Sequence, residues 1–374
     1  MSPGMWHWSC CCGGVGTGIG YLFARGVTAG KPVVVAISDA GTFAYELIDP
    51  TAWGSAVTQT YTPAAVTSGL IAFVYLDTSA KVRIGYKTSS DGAWQYYAGP
   101  EEIGGVAMDI AGEFRFHSQL GIAPDDTLYM NLERTNYDVY TSLKNVGTQD
   151  WDELMLVGYN AAWCVNASSG DPWLAYAQTS GANINLLFET AGAAAETAES
   201  YASADYLIDC ISMCSTTDGR IWAAFNIRGS GYDPAKIGQR LVIRGAAGGY
   251  TFVNLPLPDT YNLLNARVCR ATSDAVMVLG RCRINGTSNY DIVLWSINPD
   301  TLNVTTHTVV AATTLPYELE ITTTDSGVPC VVRGQAAGSQ MLWYLNNGVS
   351  WDAYTTAYAG GFMPYIRTAW NVYA

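Results

Sequence analysis

The sequence predicts an all-β chain assembled from one repeated four-stranded unit, and three observations carry that prediction. Charged residues are only 14% of the chain while Gly numbers 38, Tyr 24 and Trp 12, a mixture that disfavours helices and suits strands and turns. Short apolar segments alternate with tight turns rich in Asp, Ser and Gly, residues that tolerate the positive φ a twisted hairpin needs. That alternation recurs along almost all of the 374 residues. With 49% hydrophobic and 12% aromatic content, the chain has ample material for a core and does not read as disordered.

Each unit opens with an apolar strand, turns, returns in a second apolar strand, continues through a third and ends in an aromatic fourth. The first turn falls at 37–42, 123–127, 167–171, 215–219, 271–274 and 323–327. The strands after it, such as Trp173-Leu174-Ala175-Tyr176 and Ile221-Trp222-Ala223-Ala224-Phe225, are apolar on both faces, as a sheet covered on both sides requires. By alternation Trp173, Trp222 and Trp295 are core. A later Gly-containing turn leads into Trp94, Trp151, Tyr250 or Trp351, each expected to plug the gap between neighbouring sheets. The Ala-rich stretch from Ala191 to Ala204 reads as a loop or short strand.

Seven units begin near Gly18, Ala64, Phe116, Ala161, Leu207, Leu263 and Leu315, about 50 residues apart, the scale of a four-stranded propeller blade. The expected fold is therefore a β-propeller of seven four-stranded blades over 19–374, behind a peptide over 1–18. The ring is expected to close by pairing the two ends, with Gly18 to Arg25 or Tyr365 to Tyr373 entering one terminal blade.

A net charge of −13 without any basic stripe argues against a nucleic-acid partner. No run approaches the ~18 apolar residues of a membrane span, and Met1 to Trp8 lacks the charged start and apolar segment of a signal peptide. Neither membrane insertion nor secretion is expected.

Nine cysteines include six scattered through apparent strands, Cys164, Cys210, Cys214, Cys269, Cys282 and Cys330, expected as free, small hydrophobes. The N-terminal peptide is different: His7, Cys10, Cys11 and Cys12 concentrate soft ligands that suit zinc or an iron–sulfur cluster. Their spacing matches no C-x₂-C pattern, so packing of a Cys-rich tail stands beside metal binding. Trp6 and Trp8, with the Cys triplet, are large apolar groups outside any repeat, and the glycines of 13–20 form a hinge behind them. The peptide is expected to anchor the propeller in a larger assembly.

Catalytic signals are thin. Glu101-Glu102, Asp125-Asp126 and Asp150-Trp151-Asp152-Glu153 are paired acids expected in turns, and His7, His117 and His307 are too scattered for a triad or a zinc site. Aromatic density is the stronger clue, since rings stack on apolar sugar faces while carboxylates and amides bind hydroxyls. Tyr137, Tyr140, Tyr232 and Tyr290 lie in polar stretches and are the expected exposed glycan contacts.

Ser90-Asp91-Gly92-Ala93-Trp94 resembles the Asp-box of sialidase-like propellers, one residue short and present once. The resemblance implies the propeller fold. It also implies a set of three arginines, a Tyr–Glu pair and an Asp acid, which local context assigns to no position here. The whole-chain character, low in Lys and rich in Gly, Thr, Tyr and Trp, resembles bacteriophage tail and other virion proteins. That likeness implies a non-catalytic structural protein, made in the host cytoplasm, that acts as adaptor or host-surface receptor-binding propeller, with other virion proteins and a cell-surface glycan as partners. A sialidase-like glycan hydrolase and a free lectin-like propeller are the alternatives.

Overall fold

A computed structural model describes the chain in segments from Tyr21 to Ala369, and its side chains chiefly from Ala162 to Thr355. The described residues are all-β and contain no helix. In chain order the strands are β1 (Tyr21–Gly26), β2 (Pro32–Ile37) and β3 (Phe43–Leu47), then β4 (Val57–Pro63), β5 (Ile71–Asp77), β6 (Val82–Lys87) and β7 (Gln95–Ala98). A two-stranded ribbon, β8 (Glu102–Ile103) and β9 (Val106–Ala107), precedes β10 (Gln119–Ile122), β11 (Leu128–Glu133), β12 (Val139–Lys144) and β13 (Trp151–Val157). There follow β14 (Ala162–Val165), β15 (Pro172–Ser180), β16 (Asn183–Thr190) and β17 (Glu196–Ala202), then β18 (Tyr206–Ser215), β19 (Ile221–Gly229), β20 (Gly238–Arg244) and β21 (Tyr250–Asn254). The last are β22 (Tyr261–Ala271), β23 (Val276–Ile284), β24 (Tyr290–Ile297) and β25 (Val304–Thr313), then β26 (Leu319–Thr323), β27 (Pro329–Gly334), β28 (Gln340–Asn346), β29 (Trp351–Ala357) and β30 (Phe362–Ala369).

These strands make seven four-stranded antiparallel sheets. Sheet one has the order β3-β2-β1-β30, and sheets two to seven are β4–β7, β10–β13, β14–β17, β18–β21, β22–β25 and β26–β29. The first strand of each sheet touches the first strand of the next, and β30, which borders β1 in that position, touches both β26 and β4. The ring is thus closed, and the fold is a β-propeller. Closure joins the two ends as expected: Tyr21 pairs Ala369, Leu22 pairs Thr368 and Phe23 pairs Arg367.

The first unit is redrawn by this pairing. Its innermost strand is β30 and not the segment at Gly18, and the turn within 37–42 joins the third and fourth strands, β2 and β3, of that sheet. Sheet two also starts earlier than Ala64, because its first strand, Val57–Pro63, is threonine-rich and shows no apolar run. Of the acidic pairs, Asp152 and Glu153 lie in β13 and Glu102 begins β8, so strand pairing and not turn chemistry places them. Asp125 and Asp126 lie outside the described residues, as do Ser90 to Trp94 and 1–20.

Packing follows from period-two alternation. In β19, Ile221, Ala223, Phe225 and Ile227 enter the core shared with sheet four. Trp222 and Ala224 enter the core shared with sheet six. The next sheet repeats the device, with Val278 and Trp295 turned back toward sheet five and Leu279 and Leu294 turned forward to sheet seven. Trp222 and Trp295 are fully buried and Trp173 nearly so, each side chain worth about 1.5–3 kcal/mol of transfer free energy. Tyr250 and Trp351 sit at the starts of fourth strands and pack into the gaps between sheets, as expected. Cys164, Cys214, Cys282 and Cys330 are free thiols, and burial pushes those of Cys282 and Cys330 well up. The stretch from Ala191 to Ala204 contains β17 and so is a short strand.

Turns staple the sheets at one end of the ring. Asn166 Nδ2 donates to Gly219 O at 3.2 Å and Ala167 N–H donates to Ser215 Oγ at 2.8 Å, joining sheets four and five. Arg220 Nη1 donates to Pro299 O at 2.5 Å, joining sheets five and six. Gly41, with φ +74°, faces the Tyr354 ring of sheet seven so closely that an added Cβ would lie 2.0 Å from Tyr354 Cε1. Gly41→Ala should therefore cost about 2–4 kcal/mol, through clash plus backbone strain, whereas Gly248→Ala, also at positive φ but in open space, should cost about 1 kcal/mol. Urea denaturation of the two variants measures the difference, and equal costs would refute the contact.

Candidate functional site

The polar chemistry of the described residues concentrates in the groove between sheets four and five. Along β20, Arg240, Val242 and Arg244 share one face by alternation, and Val242 is part of the core with sheet four. Opposite them, β17 would by strict alternation turn Glu196 and Glu199 to different faces. A β-bulge prevents this: Leu187 pairs Thr197 while Leu186 pairs Glu199, leaving Ala198 as the extra residue. Both glutamates consequently meet the arginines.

At one end, Glu196 receives a bidentate pair from Arg244, Nε to Oε2 at 2.9 Å and Nη2 to Oε1 at 2.7 Å, and Tyr250 Oη donates to Oε2 at 2.7 Å. The Arg244 guanidinium also lies 4.1 Å from the centroid of the Trp173 ring, and Nη1 donates to Gly245 O at 3.3 Å. Three of its N–H groups and one face are engaged and its side chain is only 14% exposed, so it acts as a structural post. Hydrogen bonds from Arg244, against the opposing effect of burial, and then from Tyr250 hold the Glu196 carboxyl below the usual carboxylate range.

The other end is more open. Arg240 Nη1 donates to Glu199 Oε1 at 2.5 Å and to Tyr201 Oη at 3.2 Å. The Arg240 side chain is 35% exposed and that of Glu199 21%. Glu199 Oε2 has no hydrogen-bond partner and no solvent contact. The Tyr201 and Tyr206 rings stand 5.5 Å apart, and burial, then the Glu199 carboxylate, push the Tyr201 phenol up. On β21, Phe252 pairs Val242 and shares the groove face with Tyr250, and its ring is exposed. This end offers a cation, a carboxylate with an unused oxygen, and aromatic surface.

Of the expected glycan contacts, Tyr290 begins β24, paired with Arg283 and Thr313, and is half-buried where an exposed loop residue was expected. Ladder pairing of a residue adjoining an Asn-rich turn explains the difference. Tyr140 is the second residue of β12, paired with Leu132 and Leu156. Tyr137 and Tyr232 lie outside the described residues, between β11 and β12 and between β19 and β20. Of the two described, Tyr140 lies in the third strand of sheet three and Tyr290 in the third strand of sheet six. Trp6, His7, Trp8, Cys10, Cys11 and Cys12 also lie outside the described residues, among which no group of three or more His, Cys, Asp or Glu is placed to hold a metal.

No family model matches the chain, and no curated protein matches it. Solved structures do. The chain is similar to a periplasmic gluconolactonase from Pseudomonas aeruginosa, at 11% identity over 94% of this chain and 99% of that one, with a TM-score of 0.54. A protein from Lactobacillus plantarum matches at 9% identity over 94% and 99%, TM-score 0.51. A prolyl endopeptidase matches at 11% identity over 82% of this chain, TM-score 0.50, and the chain spans only 43% of that enzyme's length. At such identities the likeness shows the fold alone.

Because the Glu196 carboxyl is depressed in the fold, its contribution to stability is complete above the ordinary carboxylate pKa and fades as pH falls through the depressed value. Its side chain is 40% exposed, which limits that contribution to about 1 kcal/mol. Glu196→Gln should lower stability by about that amount at neutral pH, with the gap to wild type closing below about pH 4. Denaturant titrations across that range check it, and a pH-independent gap would sink it.

Proposed function

We propose that the chain is a non-catalytic glycan-binding propeller and that the groove between sheets four and five holds the sugar. One observation supports this reading above the rest: Arg240 and Glu199 stand as a partly exposed donor–acceptor pair beside Tyr201 and the exposed Phe252. A pyranose has an apolar face and a ring of hydroxyls, so it needs an aromatic platform and polar groups that both donate and accept. Hydrolysis needs something else, a carboxylic acid able to give up a proton. Glu196 is held ionised by its arginine and Glu199 is paired with its own, so the groove suits binding without cleavage.

Arg240→Ala or Phe252→Ala should each weaken sugar binding at least about tenfold while leaving the far-ultraviolet spectrum unchanged. Glycan-array binding followed by calorimetry reads this out. Unaltered binding in both variants would place the site elsewhere.

The finer reading is that this propeller serves a virion as host-surface receptor-binding protein or adaptor, hung from a larger assembly by residues 1–18. It rests on the composition of the chain and on Trp6, Trp8 and the Cys triplet ahead of a glycine hinge. All seven four-stranded sheets are complete from Tyr21 onward, which leaves that peptide unneeded for ring closure. Trp6→Ala with Trp8→Ala should then release the protein from its assembly without shifting the propeller's melting temperature. A variant that still co-assembles, or one that melts earlier, refutes the anchor.

A further inference from the structure

We propose that the groove selects neutral sugars presenting two neighbouring hydroxyls and turns acidic sugars away; this rests on the glycan-binding reading above and narrows it to a substrate class. The argument is one of charge and valence. Two arginines face the groove and two glutamates cancel them, pair by pair: Arg244 against Glu196 and Arg240 against Glu199. Arg244 gives three of its N–H groups to both carboxylate oxygens of Glu196 and to the Gly245 carbonyl, its plane lies over the Trp173 ring, and its side chain is only 14% exposed. A sugar carboxylate entering the groove therefore meets no uncompensated cation. To reach Arg240 it must displace Glu199 from a 2.5 Å ion pair or lie beside it, and carboxylates in contact repel unless one takes a proton.

A neutral diol faces no such conflict. Arg240, 35% exposed, retains N–H groups beyond the one given to Glu199 and Tyr201, and one sugar hydroxyl can accept from them. The neighbouring hydroxyl donates to the Glu199 carboxylate, whose side chain is 21% exposed. Phe252, on the same face of sheet five, then covers the apolar side of the ring. At longer range the net charge of −13 also opposes an anionic ligand.

The test sets neutral oligosaccharides against their sialylated counterparts in calorimetric titration of the full chain, as wild type, Glu199→Gln, Arg240→Ala and Phe252→Ala. The expected result is binding of neutral members with at least about tenfold weaker binding of the sialylated partner of each. Glu199→Gln should weaken the neutral ligand about tenfold and shrink the discrimination, because it removes the repelling charge. Sialylated ligands that bind as well as neutral ones, and lose affinity in Arg240→Ala, overturn the selectivity while leaving glycan binding intact. If no member binds the wild type, the glycan reading itself falls. Should Glu199→Gln melt early, Phe252→Ala, at an exposed ring, carries the test: neutral binding unchanged in that variant overturns the proposal.

Discussion

Strands buried on both faces are the constraint from which the rest of this molecule follows. β19 sends Trp222 one way and Phe225 the other, and both are fully buried, so sheet five has no solvent face to spare for its central strands. Such a sheet is stable only between two neighbours, and each neighbour has the same need. A row of these sheets ends well only by joining its ends. The antiparallel pairing of β1 with β30 does that, and it commits residues from opposite ends of the described chain, such as Tyr21 and Ala369, to one hydrogen-bonded ladder. Because contacts that remote form late, the terminal sheet is the natural place for the ring to open.

The stapling turns extend the same logic to the polar groups. A turn at the end of a two-faced sheet cannot be covered from above, so it binds sideways. Asn166 reaches Gly219, and Arg220 reaches Pro299, in each case from one sheet to the next. Asp218 shows how such a turn is charged: burial pushes its carboxyl up, but the side-chain and backbone hydrogen bonds of Arg220 and that of Thr216 bring it below the usual range. The same Thr216 hydroxyl accepts from buried Trp222 Nε1, so turn and core share one hydroxyl.

Much of this was legible in the sequence, for a physical reason. Burial on both faces writes itself as apolar runs such as Ile221 to Phe225, and hairpins write themselves as Asp-Gly and Ser-Gly turns, so the repeat and most of its boundaries could be read. The exceptions are instructive. Val57–Pro63 escaped because an innermost strand with Thr and Gln looks like a linker, and the innermost place of β30 escaped because nothing local distinguishes a strand that closes a ring from one that starts a unit. The groove was less legible still. No local motif marks Glu196, Glu199 or Arg240, although the stretch that holds β17 reads as a loop or short strand. What brings the two glutamates to one face is a bulge at Ala198, and a bulge has no compositional signature.

That bulge also explains why charged pairs fit here and not in the core. A second strand such as β19 carries apolar residues on both faces, and a polar group placed among them is buried. The fourth strand is different: β17 packs on the core through Ala198 yet leaves Glu199 and Arg240 partly exposed. Glutamates on this outer strand, paired to arginines of β20, cost little of the packing that closes the ring, and an extra residue re-aims them without disturbing the ladder on either side. The groove between β17 and β20 is thus where this fold tolerates charge, and its four charged side chains are neutral in sum.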